Sequence, residues 1–106
     1  MSTIFFKKIT LGLFLLLLCS STFAADKMTL GLEVYNNKAM CGTCHTLKAA
    51  GSEGQIGPSL DYLKPQISRI IYTVANGIGV MPAFDGTLTA EEIEAVAHYV
   101  FNSINK

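Results

Sequence analysis

Five consecutive residues, Cys41-Gly42-Thr43-Cys44-His45, gather most of the reactive side chains in the chain. Two thiols three positions apart lie on one side of a helical turn, and an imidazole follows at once. C-x-x-C-H at this spacing is the attachment signature of a c-type haem. Both sulfurs can add to the two vinyl groups on one porphyrin edge, and the imidazole then lies under the iron. Three other chemistries use similar residues. A redox-active dithiol wants a βαβ setting, and no alternating strand pattern is present. A structural zinc wants four ligands, whereas past residue 24 the chain offers only Cys41, Cys44, His45 and His98, two of them adjacent. A plain disulfide leaves His45 without a role. The expected cofactor is one haem c, bound covalently through Cys41 and Cys44, with His45 as an iron ligand.

Candidates for the opposite iron ligand are Met28, Met40, Met81 and His98. Met40 abuts Cys41 and is tied to the His45 side. Met28 lies on a helix, where methionine is usually core. His98 shares a polar helix face with Glu91, Glu94 and Asn105. Met81 sits in the loop Gly79-Val80-Met81-Pro82-Ala83-Phe84, far enough along the chain to cross to the other haem face, and Pro82 stiffens that loop. Met81 is therefore the expected second ligand. Thioether ligation raises the potential, as suits an electron carrier.

These residues need helices to hold them. Met28 to Tyr35 reads as a helix, with Leu30 and Val34 one turn apart and Asn36-Asn37 ending it. Cys41 to Leu47 suits a short second helix, and the glycines between Ala49 and Ser59 mark a loop. Lys64-Pro65 opens a third helix, whose stripe of Ile67, Ile70, Ile71 and Val74 has helical spacing. Asn76-Gly77 stops it, and a second loop runs to Gly86. Thr89 with Glu92 makes a capping box for a last helix that buries Ile93, Val96, Ala97, Val100 and Ile104. The fold class is all-α, with three to four helices around one haem.

Residues 1–24 form a separate segment. Lys7 and Lys8 precede an apolar run from Ile9 to Cys19, and small residues close it at Thr22 and Ala24. That order marks a secretory signal peptide, cleaved after Ala24. An uncleaved anchor would need about 20 apolar residues, and bulky Leu18 before Cys19 suits a lipoprotein site poorly. The domain is then 25–106, with six basic and eight acidic side chains and a formal charge of −2. Such a balance excludes a phosphate-coating nucleic-acid binder. A chain this short has a modest core and needs a staple, which the haem supplies. Haem-free protein is accordingly expected to be largely unfolded.

The chain resembles the small class I c-type cytochromes. The matching pieces are Cys41-Gly42-Thr43-Cys44-His45, Gly57-Pro58-Ser59-Leu60, Asn76-Gly77 before Met81-Pro82-Ala83-Phe84, and Leu88-Thr89 through Val96-Ala97-His98-Tyr99-Val100. In the family's order they span most of 28–104, and they look most like short bacterial monohaem carriers and the photosynthetic lumenal cytochromes. The resemblance implies His45 and Met81 as the two axial ligands. It also implies that the Pro58 carbonyl accepts a hydrogen bond from the far nitrogen of His45, and that Gly31 lets the last helix cross closely near Tyr99. Asn76 bonds near the Met81 loop or a propionate, or caps its helix. Arg69 and Tyr72 meet a propionate or lie on a solvated face.

With both axial sites taken by protein, the iron exchanges one electron and offers no site to a small-molecule substrate, so the chain is expected not to be an enzyme. An apolar shell of Ile67, Ile71, Val74, Phe84, Val96 and Val100 shields it. The expected role is a periplasmic one-electron carrier meeting redox donors and acceptors transiently. Its alternative is a haem subunit of a dehydrogenase or oxidase complex, membrane-bound or soluble. A ligand-binding or peroxidatic protein would require Met81 to be displaceable.

Overall fold

The computed structural model describes residues 26–106. The expected signal peptide, residues 1–24 with Cys19, lies outside the described residues. Helix α1 covers 26–33 and continues as a π turn, Val34–Lys38. The turn is closed by the Ala39 amide, which donates to the Val34 carbonyl at 2.9 Å. Asn36-Asn37 was expected to end the helix; both lie inside this wider turn instead. Its i→i+5 geometry keeps Val34 and Tyr35 in the core side by side, at 0% and 1% exposure. Met40, in the left-handed region at φ 52°, then turns the chain into Cys41.

The helix expected over Cys41 to Leu47 shrinks to one 3₁₀ turn, Cys41–Thr43. Thr46–Leu47 (β1) instead pairs antiparallel with Ser52–Glu53 (β2), Thr46 opposite Glu53 and Leu47 opposite Ser52. A 3₁₀ turn, Lys48–Ala50, and left-handed Gly51 make the reversal between them. This two-residue ladder is the one sheet among the described residues, beside isolated bridges at Ile78–Met81 and Asp85–Leu88. Its cause is tertiary: Leu47 is fully buried, and the hairpin folds back on the C-x-x-C-H turn.

The third helix also differs from expectation. Ser59 caps a short helix α2, Leu60–Leu63, accepting from the Tyr62 amide. Lys64 ends α2 in the left-handed region at φ 47°. Pro65 lies in the connection, because a residue before proline is disfavoured in the right-handed helical region. Helix α3 therefore starts later, at Ile67–Asn76. Gly77 terminates it as expected, at φ 71° with its amide on Thr73 O.

Helix α4, Ala90–Ile104, opens with the expected capping box. Thr89 Oγ1 accepts from the Glu92 amide at 3.1 Å, and Glu92 Oε1 accepts from the Thr89 amide at 3.0 Å. Its five expected core positions are all buried. They pack with Val34, Leu47, Ile70, Val74 and Leu88 in one cluster. Helix α1 crosses α4 at Gly31, where an added Cβ would lie 2.2 Å from the Ala95 carbonyl oxygen and 2.5 Å from Tyr99 Cβ. Lys38 reaches across to Glu92 at 2.5 Å, tying the end of α1 to the start of α4.

Candidate haem site

The C-x-x-C-H turn is built on its own backbone. The amides of Cys44 and His45 both donate to the Cys41 carbonyl, at 3.1 and 3.0 Å. Both thiols are half-buried and unbridged. Burial pushes the Cys41 thiol up to about 11, with Cys44 adding a smaller push, so it stays neutral at pH 7. Among the described residues, no three His, Cys, Asp or Glu side chains gather where they could hold a metal ion.

His45 is oriented by the glycine loop that follows. Its Nδ1 lies 2.7 Å from the Pro58 carbonyl oxygen. A carbonyl only accepts, so Nδ1 carries the proton and Nε2 keeps its lone pair. This is the arrangement by which a metal-binding imidazole is fixed in tautomer and angle. Gly57 makes room for the ring: a Cβ there would sit 2.5 Å from His45 Cε1. Gly54 packs against the turn itself, 2.6 Å from the Gly42 carbonyl oxygen on the same measure. The donor set therefore fits an iron porphyrin on the His45 side: one oriented imidazole nitrogen beside two free thiols.

Met81 belongs to the second loop. Ile78 and Met81 exchange both backbone hydrogen bonds, at 3.1 and 2.9 Å. Left-handed Gly77 lets the loop fold over it, since a Cβ there would lie 2.6 Å from Met81 O and 2.8 Å from Ala83 N. Beyond the proline, the Phe84 and Asp85 amides return to the Val74 and Ala75 carbonyls, at 2.9 and 3.2 Å. The end of α3 thus holds the loop from both sides. Met81 is half-buried and packs against the same core cluster as Cys41. Asn76 turns its amide back onto the Tyr72 carbonyl at 2.9 Å, so it completes its own helix end. Of the shell residues, Val74, Val96 and Val100 are buried, and Ile67, Ile71 and Phe84 are half-buried.

Three residues have roles that the reading of the sequence did not assign. Gly54 stands out only as a loop glycine until the turn is packed against it, and Gly57, though part of Gly57-Pro58-Ser59-Leu60, has no stated role until the His45 ring is placed beside it. Ser52 carries no motif at all, yet its hydroxyl reaches the His45 carbonyl at 3.0 Å.

Comparison with known proteins places this geometry in a wider group. The family model described as "Cytochrome C oxidase, cbb3-type, subunit III" matches residues 26–100. The chloroplastic cytochrome c6 of Chlamydomonas reinhardtii is 40% identical over 92 residues, covering 77% of this chain and 57% of that protein. The chain thus spans little more than half of that relative. Cytochrome c6 of Microcystis aeruginosa is 38% identical over 72 residues, 64% of this chain and 89% of that one. Among solved structures, the c-type cytochrome SorU from Sinorhizobium meliloti superposes with a TM-score of 0.71 at 48% identity, over 77% of this chain and 95% of that chain.

Proposed function

Because the chain belongs to the small class I c-type cytochromes, an electron-carrying family with one covalently bound haem c, we propose that it is a periplasmic one-electron carrier acting between redox proteins. In this reading residues 1–24 are a cleaved signal peptide and 25–106 the haem domain. Cys41 and Cys44 would carry the thioethers, and His45 and Met81 would hold the iron. The haem supplies one reversible electron at its iron. Around it the chain binds, orients and shields. Pro58 holds the His45 ring, and the Ile78–Met81 turn presents a soft sulfur that favours the ferrous state. With His45 and Met81 both holding the iron, no place would remain on it for a substrate, in keeping with a carrier rather than an enzyme. Its encounters with donor and acceptor are brief, as small redox contacts are.

The bond between His45 Nδ1 and the Pro58 carbonyl carries the reading most directly, because it frees Nε2 for iron beside two unpaired thiols. Absorption spectra of protein matured in cells able to attach haem test it. Reduced protein should show c-type bands, and oxidised protein the red-region sulfur-to-iron band. Met81→Ala should lose that band, and its reduced form should bind carbon monoxide at neutral pH. A colourless wild-type product would end the reading, and an unchanged band in the variant would remove Met81 from it.

The subunit reading has one observation in its favour: the matching family model is described by a subunit of an oxidase. Among the described residues no helix is long and apolar enough to cross a membrane. A catalytic chain that stays bound through purification at high salt would favour that reading over a free shuttle.

A further inference from the structure

We infer that Ser52 is a positioning residue for His45, anchored in its turn by the buried hydroxyl of Tyr35. The inference rests on the reading of His45 as the iron ligand. Ser52 Oγ lies 2.9 Å from Tyr35 Oη, 3.1 Å from the Leu47 amide nitrogen, 3.0 Å from the His45 carbonyl oxygen and 3.5 Å from that of Leu47. A hydroxyl has one proton and two lone pairs. The Leu47 amide can only donate, so it takes one lone pair. The two carbonyls can only accept, and the nearer, on His45, takes the proton. One lone pair remains for Tyr35, whose hydroxyl must therefore donate. Every bond Ser52 can make is in use, and each partner is specified.

Position and packing make this more than a local turn. Ser52 reaches the C-x-x-C-H turn only because residue 42 is glycine: a Cβ there would lie 2.6 Å from Ser52 Cβ. Tyr35 is fixed in the α1–α4 core, its ring centroid 5.9 Å from that of Tyr99 and tilted by 57°. A chain of contacts thus runs from the helix crossing through Tyr35 and Ser52 to the main chain of His45. The imidazole is then held at both ends, its backbone by Ser52 and its ring by Pro58. Losing the Ser52 bond lets the His45 main chain shift and carry the ring with it, whereas losing the Pro58 bond lets the ring turn about its own side-chain bonds.

The test uses haem-loaded Ser52→Ala and Tyr35→Phe proteins, read by the haem-methyl proton shifts of the oxidised form and by the midpoint potential. Those shifts report the orientation of the axial ligands, which a general loss of stability does not alter. Ser52→Ala should retain the c-type bands and the sulfur-to-iron band, yet change the haem-methyl pattern and shift the potential. Tyr35→Phe leaves the Ser52–His45 bond in place and should shift both in the same direction, by less. Variants with the wild-type pattern and potential would overturn the inference, whatever their melting temperatures. Should Ser52→Ala fail to accumulate, Tyr35→Phe decides alone by the same criterion. Wild-type protein without c-type bands would instead sink the haem reading beneath it.

Discussion

Where α1 crosses α4, main chain meets main chain. Gly31 leaves no room for a methyl group between the helices, and Val34, Tyr35, Val96 and Ala97 are all but sealed. Along the two loops the apolar side chains behave otherwise: Ile56 is 69% exposed, Ile78 65% and Val80 87%. The first region is finished by helix packing. The second is shaped by backbone bonds, with Gly57, Gly77 and Pro58 placing His45 and Met81. Close packing is therefore concentrated at the crossing, and ligand geometry in the loops.

The harshest way to break this division is to remove the tether. Cys41→Ser with Cys44→Ser should abolish covalent haem on a denaturing gel and remove most of the far-ultraviolet helical signal, as when a small domain loses the group that completes it. Retention of a native-like signal would show that the crossing folds unaided. Next in size, Gly31→Ala should destabilise by about 3 kcal/mol, the upper end for overpacking, because the new methyl meets a carbonyl and a Cβ that cannot swing away. Its spectrum should stay that of the wild type, and a denaturant midpoint within error of wild type would refute the close crossing.

Gly57→Ala sharpens the comparison from the loop side. Its methyl would press on the His45 ring, and a ring can move, so the stability cost should be nearer 1 kcal/mol. The absorption bands and potential should change more than for Gly31→Ala; the reverse order would merge the two regions. Smallest of all is the link between α1 and α4. The hydrogen bond from Lys38 holds the Glu92 carboxyl below the usual carboxylate range, helped by Thr89, and that same bond raises Lys38. A lowered carboxyl stabilises the fold above its unfolded value, about 4.3, and that contribution fades as pH falls through the lower folded value. Raised Lys38 contributes below about 10.4 and loses its contribution as pH climbs through the folded value. Glu92→Gln keeps an acceptor for the capping box. It should melt slightly below wild type at pH 7, with the gap closing in acid; a gap constant from pH 7 to pH 3 would contradict the pairing.

Local chemistry was legible without coordinates. The thiols and imidazole of Cys41 to His45 are adjacent in the chain, so their spacing speaks for itself. The Thr89–Glu92 box and the stop at Gly77 are likewise written within a few residues. The stripe of α4 follows from one helical period, and all five of its expected positions are buried. What misled were choices made between distant segments. Asn36-Asn37 reads as a helix end, but burying Val34 and Tyr35 together draws the chain into a π turn. Leu47 reads as helical, but its burial goes with pairing to Ser52. Pro65 reads as a first helical residue, but left-handed Lys64 spends it on a connection.

The sequence by itself determined which atoms could hold a haem and which helix faces must be covered, because both depend on neighbours a turn or less away. The family resemblance implied the bond from the His45 ring to Pro58 thirteen residues on. Only the tertiary structure decided what holds the His45 main chain: Ser52, itself held by Tyr35 seventeen residues before it. Hydrogen bonds between such partners obey distance and angle in space, and no periodicity along the chain encodes them.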